Sequence, residues 1–281
     1  AGMIGLVGWP DRGPLMFGRS TYADLSASSI FTDYLLAAIL HRQTTGRGQY
    51  VDGSMVECCT TFLTTQHLDY ADAAKSAAFS EALQRAGLKV FSVHACFGGA
   101  FDLSTLDQSA RKASVDAHVD QIRYSATLGA AAVIVPPGSS CPAAAQPPQR
   151  RAATAQSLTE LASVADEVGI GLAVENMPPG YPGDSIEELV GLVDGLACGR
   201  AGFCFDTGHC HLCGIPQSEM IRAFAGRIQV IHWHDNHGKS DEHLIPGAGN
   251  IDWGDYFSSL AATQFDAPVT VEAGERGMEL S

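Results

Sequence analysis

From about residue 71 onward, the apolar positions switch regularly between two periods. Helical spacing recurs over residues 73–86, at Val115, Val119, Ile122 and Ala126, at Leu158, Leu161, Ala162, Ala165 and Val168, and over residues 186–193, 219–224 and 253–261. Gly87, Gly129 and Gly169 stand where the first three of these helices should stop. Between them lie strand-like apolar runs at residues 88–94, 131–135, 170–175, 201–206, 228–234 and 268–272. Six β-units joined by five helical crossovers predict an α/β fold with a parallel sheet, because a parallel connection needs a crossover. Nearly every predicted strand ends in an ionisable residue: His94, Glu175, Asp206, His232 or His234, and Glu272. Side chains gathered at that end of parallel strands predict a (β/α)8 barrel with its working face there. The barrel is incomplete, lacking its first two βα units and its last helix. A fused or fragmentary gene product is therefore expected, with open sheet edges that invite pairing with a second copy as a homo-oligomer.

Residues 1–70 follow a different pattern. Gly2, Gly5, Gly8, Pro10, Gly13 and Pro14 punctuate a loop-rich opening. Asp24 is placed to cap an apolar helix over residues 25–41, which residues 44–48, with Gly46 and Gly48, should end. Residues 49–55 alternate as a short strand, and a second apolar helix starts near Met55. The expected organisation is an α-rich segment over 1–70 and the barrel over 71–281. Residues 3–7 and 49–55 are candidates to pair into the gap of the barrel.

The net charge of −14 argues against a nucleic-acid partner, since no Lys/Arg run opposes the acidic field. No apolar run approaches the ~18–20 residues of a membrane span, and no secretory signal opens the chain. The eight Cys are therefore read as reduced thiols of a cytoplasmic protein. Cys210 and Cys213 form a lone C-x-x-C, weak evidence for zinc without a second pair. Six of the ten His fall between positions 209 and 243, together with Asp235 and Asp241 and just after Asp206. Imidazole and carboxylate in one place suit Zn²⁺, Mn²⁺ or Co²⁺.

Four runs carry a family resemblance: Val174-Glu175-Asn176-Met177-Pro178, Phe205-Asp206-Thr207-Gly208-His209, Val230-Ile231-His232-Trp233-His234-Asp235-Asn236, and the stretch from Asp241-Glu242-His243 to Trp253. They are similar to the sugar phosphate isomerase/epimerase members of the xylose-isomerase-like TIM barrels, over about three quarters of the chain. The resemblance implies a divalent metal held by Glu175, Asp206, His232 and Glu272, with Mn²⁺, Co²⁺ or Zn²⁺ as candidates. It implies a small sugar or polyol substrate, polarised by the metal and isomerised or epimerised through a metal-bound enediolate. Glu175 and Glu272 would serve as base and acid. His94, His209 and Asn176 would border the substrate, Asn176 shaping the mouth by hydrogen bonding. His209, Asp241 and His243 match a second metal set found in the AP-endonuclease branch. Pro136 stands where the family often has a His, so one metal or two is expected, not three.

Other residues have plainer readings. His234 and His237 fit solvated or supporting roles, His211 the surface, and His41, His67 and His118 ordinary helix positions. Lys239 is the only Lys near the site. Residues 136–149 and 178–183 read as loops over the mouth. The alternatives to a sugar isomerase are a metal-dependent phosphodiesterase and a non-catalytic remnant.

A second resemblance covers residues 1–70. Gly5-Leu6-Val7-Gly8-Trp9-Pro10, Tyr22-Ala23-Asp24-Leu25 and the run from Arg42 to Met55 resemble an interior slice of the class III CoA-transferases, with Gly53 where that family prefers Val. The catalytic aspartate of that family lies upstream of the slice, and neither Asp24 nor Asp52 replaces it. CoA transfer is therefore not expected of this chain.

Overall fold

The computed structural model describes residues 8–9, 13–14, 39, 42–48, 73–85, 87–140 and 148–273. The chain divides into two units, Ala1–Ser76 and Ala77–Ser281. In the first, β1 (Gly8–Trp9) pairs antiparallel with β2 (Gly13–Pro14). Residues 42–45 are helical and end at Gly46, whose φ of 70° only glycine adopts without strain. The helix thus runs past its expected end at residue 41. The expected helix over 25–38, strands 3–7 and 49–55 and helix near Met55 lie outside the described residues. So does most of the CoA-transferase-like segment.

Helix α1 (Ala73–Arg85) crosses the division. The second unit then runs β3 (Ser92–His94), a 3-10 turn (Gly99–Phe101), α2 (Gln108–Thr127), β4 (Ala132–Val135), α3 (Pro148–Val168), β5 (Gly171–Glu175), α4 (Ile186–Asp194), β6 (Ala201–Asp206), α5 (Thr207–Leu212), α6 (Gln217–Phe224), β7 (Ile228–Trp233), α7 (Trp253–Ala261) and β8 (Val269–Val271). All six expected strands and crossovers are present. Two corrections concern boundaries. Strand β3 starts at Ser92, not at residue 88, and α3 takes Pro148 and Gln149 from the expected loop, with Pro in the first position where its missing N–H costs nothing. The 3-10 turn and α5 were not expected.

Strands β3 to β8 form one parallel sheet in sequential order. A doubly wound sheet reverses its order midway, whereas sequential order is that of a βα barrel. The result is a curled half-barrel of six strands. Several helix starts are written locally. Asp107, Ser185 and Asp252 accept the N–H groups of Ala110, Glu188 and Asp255, capping α2, α4 and α7.

Alternation sorts every strand into two faces. Val133, Val135, Leu172, Val174, Phe203, Phe205 and Ile231 face the helices, in one large core with Leu158, Leu161, Leu189, Phe224 and Tyr256. Phe203 stacks on Phe224 with ring centroids 4.0 Å apart. Each such fully buried side chain contributes about 1.5–3 kcal/mol. The opposite face holds a smaller cluster of Ala132, Ile134, Ala173, Cys204 and Val230, with Phe91 against it. That second cluster is the barrel interior, and its strands continue upward into His94, Glu175, Asp206 and His232.

Strand β7 carries one irregularity. Its register against β6 shifts between Phe203, opposite Ile228, and Cys204, opposite Val230. Gln229 is the extra residue of a β-bulge. Its side chain lies over Gly171 and Gly202, where any Cβ would collide with it, and donates to the Arg200 carbonyl at 2.8 Å. Gln229 and Val230 thus both face the interior, and beyond them Asp206 pairs opposite His232. Among the described residues, no helix is long and apolar enough to cross a membrane.

Candidate metal centre

The ends of β5, β6, β7 and β8 bring four of the expected ligands together. His232 Nδ1 lies 2.9 Å from Glu175 Oε1, 3.7 Å from Asp206 Oδ2 and 3.3 Å from Glu272 Oε1. Donors around a divalent ion with bonds of ~2.0–2.2 Å sit about 2.8–3.6 Å apart. The spacing and the donor set therefore fit such an ion. Glu175, Asp206 and His232 are buried, and the Glu272 side chain is 28% exposed. Three carboxylates around one imidazole leave negative charge that a dry site tolerates only beside cations.

Two of these expected ligands, Asp206 and His232, are held from behind. Asp206 Oδ1 accepts the His209 N–H at 2.7 Å, which makes Asp206 the N-cap of α5. Asn176 is buried and bonds the Asp206 backbone twice, accepting its N–H at 2.7 Å and donating to its carbonyl at 2.9 Å. Its side chain is thereby committed to locking β5 against β6. The Thr207 hydroxyl bonds the carbonyls of His232 and His234. Burial pushes the Glu175 carboxyl up, but the His232 and His94 rings beside it outweigh burial and hold it at about 2. Asp206 is likewise raised by burial, then drawn well below its ordinary value by His209, His232 and His234. His209 loses basicity to burial and regains more from Asp206 and Asp241, reaching about 10.

His94 lies at the rim, with Nε2 3.4 Å from Glu175 Oε2 and Nδ1 donating to the Ala95 carbonyl at 2.7 Å. It stacks on His232 with centroids 5.7 Å apart. Beside this centre lies a second cluster. Asp241 faces His209, His234 and His243, and His234 stacks on His243 with centroids 4.1 Å apart. Among the described non-glycine residues, His243 alone has a positive φ, 50°.

His234, read from sequence as solvated or supporting, is fully buried and donates from Nε2 to both Asp206 oxygens, at 2.9 and 3.0 Å. The alternation of β7, continued one step past its end, points it inward with Val230 and His232. His237 is exposed and bonds Glu242, and His211 reaches Asn250. His118 is a buried helix residue bonded to the Ser114 carbonyl. Cys96, Cys198, Cys204, Cys210 and Cys213 are free thiols. Cys210 and Cys213 donate to separate carbonyls, those of Ile215 and Met177.

Two supports were missed in the sequence. Buried Asp235 accepts four N–H groups, from Asn236, Gly247, Ile251 and the Trp253 indole, and so ties down the loop that carries Asp241 and His243. Arg150, from α3, bonds Asp102, Ser104 and the Ser139 carbonyl, joining the loops that follow β3 and β4. A third constraint is Gly208, which packs under the His234 ring with no room for a Cβ. Gly208→Ala is expected to displace that ring and destabilise the chain by about 1–3 kcal/mol, read from its denaturation midpoint.

The family model for the xylose isomerase-like TIM barrel matches residues 53–279, so it starts before the expected boundary at residue 71. An uncharacterised protein of Methanocaldococcus jannaschii, MJ1311, is 32% identical over 120 residues, covering 41% of each chain. An inosose isomerase of Bacillus velezensis is 26% identical over 129 residues, 43% of this chain and 45% of the relative. These alignments span less than half of the curated relatives' length. Among solved structures, a D-tagatose 3-epimerase-like protein superimposes with a TM-score of 0.66 at 25% identity, covering 72% of this chain and 77% of its own. An IolI protein with a bound zinc atom gives 0.62 at 20% identity, covering 78% and 76%.

Proposed function

This chain belongs to the xylose isomerase-like TIM-barrel family, and on that premise we propose that it is a divalent-metal-dependent isomerase or epimerase of a sugar or polyol, working by proton transfer. The observation that carries the proposal is the convergence of Glu175, Asp206 and Glu272 on His232 Nδ1 at the C-terminal end of the sheet. The sugar isomerase and epimerase relatives, and the zinc of the IolI protein, support the class of substrate and of metal.

A divalent cation held by Glu175, Asp206, His232 and Glu272 supplies Lewis acidity for a carbonyl and its neighbouring hydroxyl. The chain's own residues do the rest. Glu175, dry and ionised, accepts the proton from the carbon next to the carbonyl. Glu272, one residue past β8 on the far side of His232 and partly exposed, returns a proton. Return to the opposite face of the carbon epimerises, and return to the neighbouring carbon isomerises. His94 offers an imidazole edge to a substrate oxygen at the rim. Asn176 and Thr207 keep the strand ends in register while the charges move.

The acidic mouth and Pro136, buried where a further histidine would be needed, weigh against phosphodiester chemistry. The test is metal content together with a ketose-epimerisation screen. Wild type is expected to take up Mn²⁺, Co²⁺ or Zn²⁺, to melt at a higher temperature when loaded, and to scramble label at the carbon next to the carbonyl. Glu175→Gln should lose the first-site ion and the label exchange together. A wild-type chain that stays metal-free and unshifted would mark it as a non-catalytic remnant.

A further inference from the structure

Phe97 lies three residues past the end of β3, and its side chain is exposed. A single apolar side chain left in water on a free loop needs no explanation. This loop is not free. The Ala95 N–H donates to the Ile134 carbonyl at 2.8 Å, and the Cys96 N–H donates to Gln121 Oε1 at 2.9 Å. Gln121, buried on α2, returns its amide N–H to Cys96 Sγ, so one side chain grips both the backbone and the thiol of the residue before Phe97. Gly98 follows with φ 100° and ψ −178°, a conformation essentially closed to other residues. The backbone is thus fixed on both sides of an aromatic ring that stays in water.

The ring is also joined to the mouth. It packs against His94 at 64° with centroids 5.4 Å apart, and His94 in turn stacks on His232 with centroids 5.7 Å apart. Three rings therefore lead outward in two steps: His232 is 1% exposed, the His94 side chain 30% and Phe97 68%. The chemistry changes along the way, from carboxylates around an imidazole, to an imidazole edge, to a bare phenyl face. The oxygens of a sugar suit the first two steps, and an apolar or aromatic group suits the third. Beside the ring, a Cβ added at Gly98 or Gly99 would meet nothing within 4 Å, so the space there is open.

We propose that Phe97 is a specificity-determining residue, and that the substrate is a glycoside-type sugar whose end away from the reacting carbonyl carries an apolar group that lies on the Phe97 ring. The reacting carbonyl and its neighbouring hydroxyl are held beside His232. Whatever covers Phe97, two ring-steps further out, therefore belongs to the far end of the substrate. Covering the ring removes apolar surface of both partners from water, and the fixed backbone means that little freedom is lost when it happens. The inference deepens the sugar isomerase reading and rests on it for the position of the reacting carbons.

The test is calorimetric binding of phenyl β-D-glucoside and of methyl β-D-glucoside to the full chain in the presence of Co²⁺. The two probes offer the same hydroxyls and differ only in the apolar group. Wild type is expected to bind the phenyl glycoside about 10- to 100-fold more tightly. Phe97→Ala should keep Co²⁺ uptake and lose the preference, and Phe97→Trp should keep both. The proposal is overturned if wild type binds the two probes alike or binds neither, or if Phe97→Ala keeps the preference. It is overturned equally if Phe97→Ala converts a sedimenting dimer to a monomer, which would assign the ring to a contact between copies. A preference that depends on Phe97, in a chain that scrambles no label next to a carbonyl, would support the subsite and overturn the isomerase reading. Label exchange without the preference would do the reverse.

Discussion

Asp206→Ala is expected to cost the metal-free chain about 3–5 kcal/mol and to remove cation binding at the first site. Asp206 is fully buried, caps α5 through the His209 N–H, and receives both hydrogen-bonding contacts of His234. It also faces His232. Its removal leaves buried imidazoles without their counter-charge, which costs more than the pair was worth. Asp206→Asn keeps a good N-cap and the side-chain shape but drops the charge. It should therefore lose metal as completely and stability less. Urea denaturation of both variants in chelator, beside wild type, measures the difference. An alanine variant within about 1 kcal/mol of wild type would mean that Asp206 is not the hub described here.

The second large effect is expected at a residue that touches no proposed cation. Asp235 collects four N–H donors while 0% exposed, and those donors hold both ends of the loop bearing Asp241 and His243. An orphaned buried donor costs about 1–3 kcal/mol. Part of the loop would reopen to water, so Asp235→Ala should cost about 3 kcal/mol in all rather than the full sum. Asp235→Asn should be nearly as harmful, because its amide N–H₂ would face other donors. Amide exchange over residues 236–250 should rise while Co²⁺ uptake by Glu175, Asp206, His232 and Glu272 is kept. Loss of that uptake as well would show general unfolding instead of a loosened loop.

The six strands and their crossovers were legible in the sequence because period and punctuation agree: apolar runs, then helices ending at Gly129 and Gly169. That Glu175, Asp206 and His232 come together was legible because Glu175 and Asp206 end strands and His232 stands one residue before the end of β7, while the choice of His232 over His234 came from the family resemblance. The role of His234 was not. It lies one residue past the end of β7, and only packing against Asp206 and Gly208 shows it buried. Asp235 was hidden for a related reason, since its partners lie up to 18 residues away and carry no side-chain signature. Helix α5 escaped notice because six residues with three polar side chains have no apolar period to read. Its start is fixed by Asp206, whose charge attracted a metal reading and masked its second job as a cap.

The bulge at Gln229 has a consequence for how this site can be gained or lost. Were Gln229 instead paired into the ladder opposite Cys204, Asp206 would stand opposite Ile231, and the inward and outward faces of the upper half of β7 would exchange. His232 and His234 would turn toward the helices, and Ile231 and Trp233 into the mouth. A deletion of Gln229, by contrast, would leave Val230 opposite Cys204 and His232 opposite Asp206, so the bulge absorbs an extra residue without moving either imidazole from the centre. The chemistry of the mouth is written in how a residue count is absorbed as much as in the identity of its side chains, so aligned histidines in a relative that pairs the extra residue into the ladder would not amount to the same site.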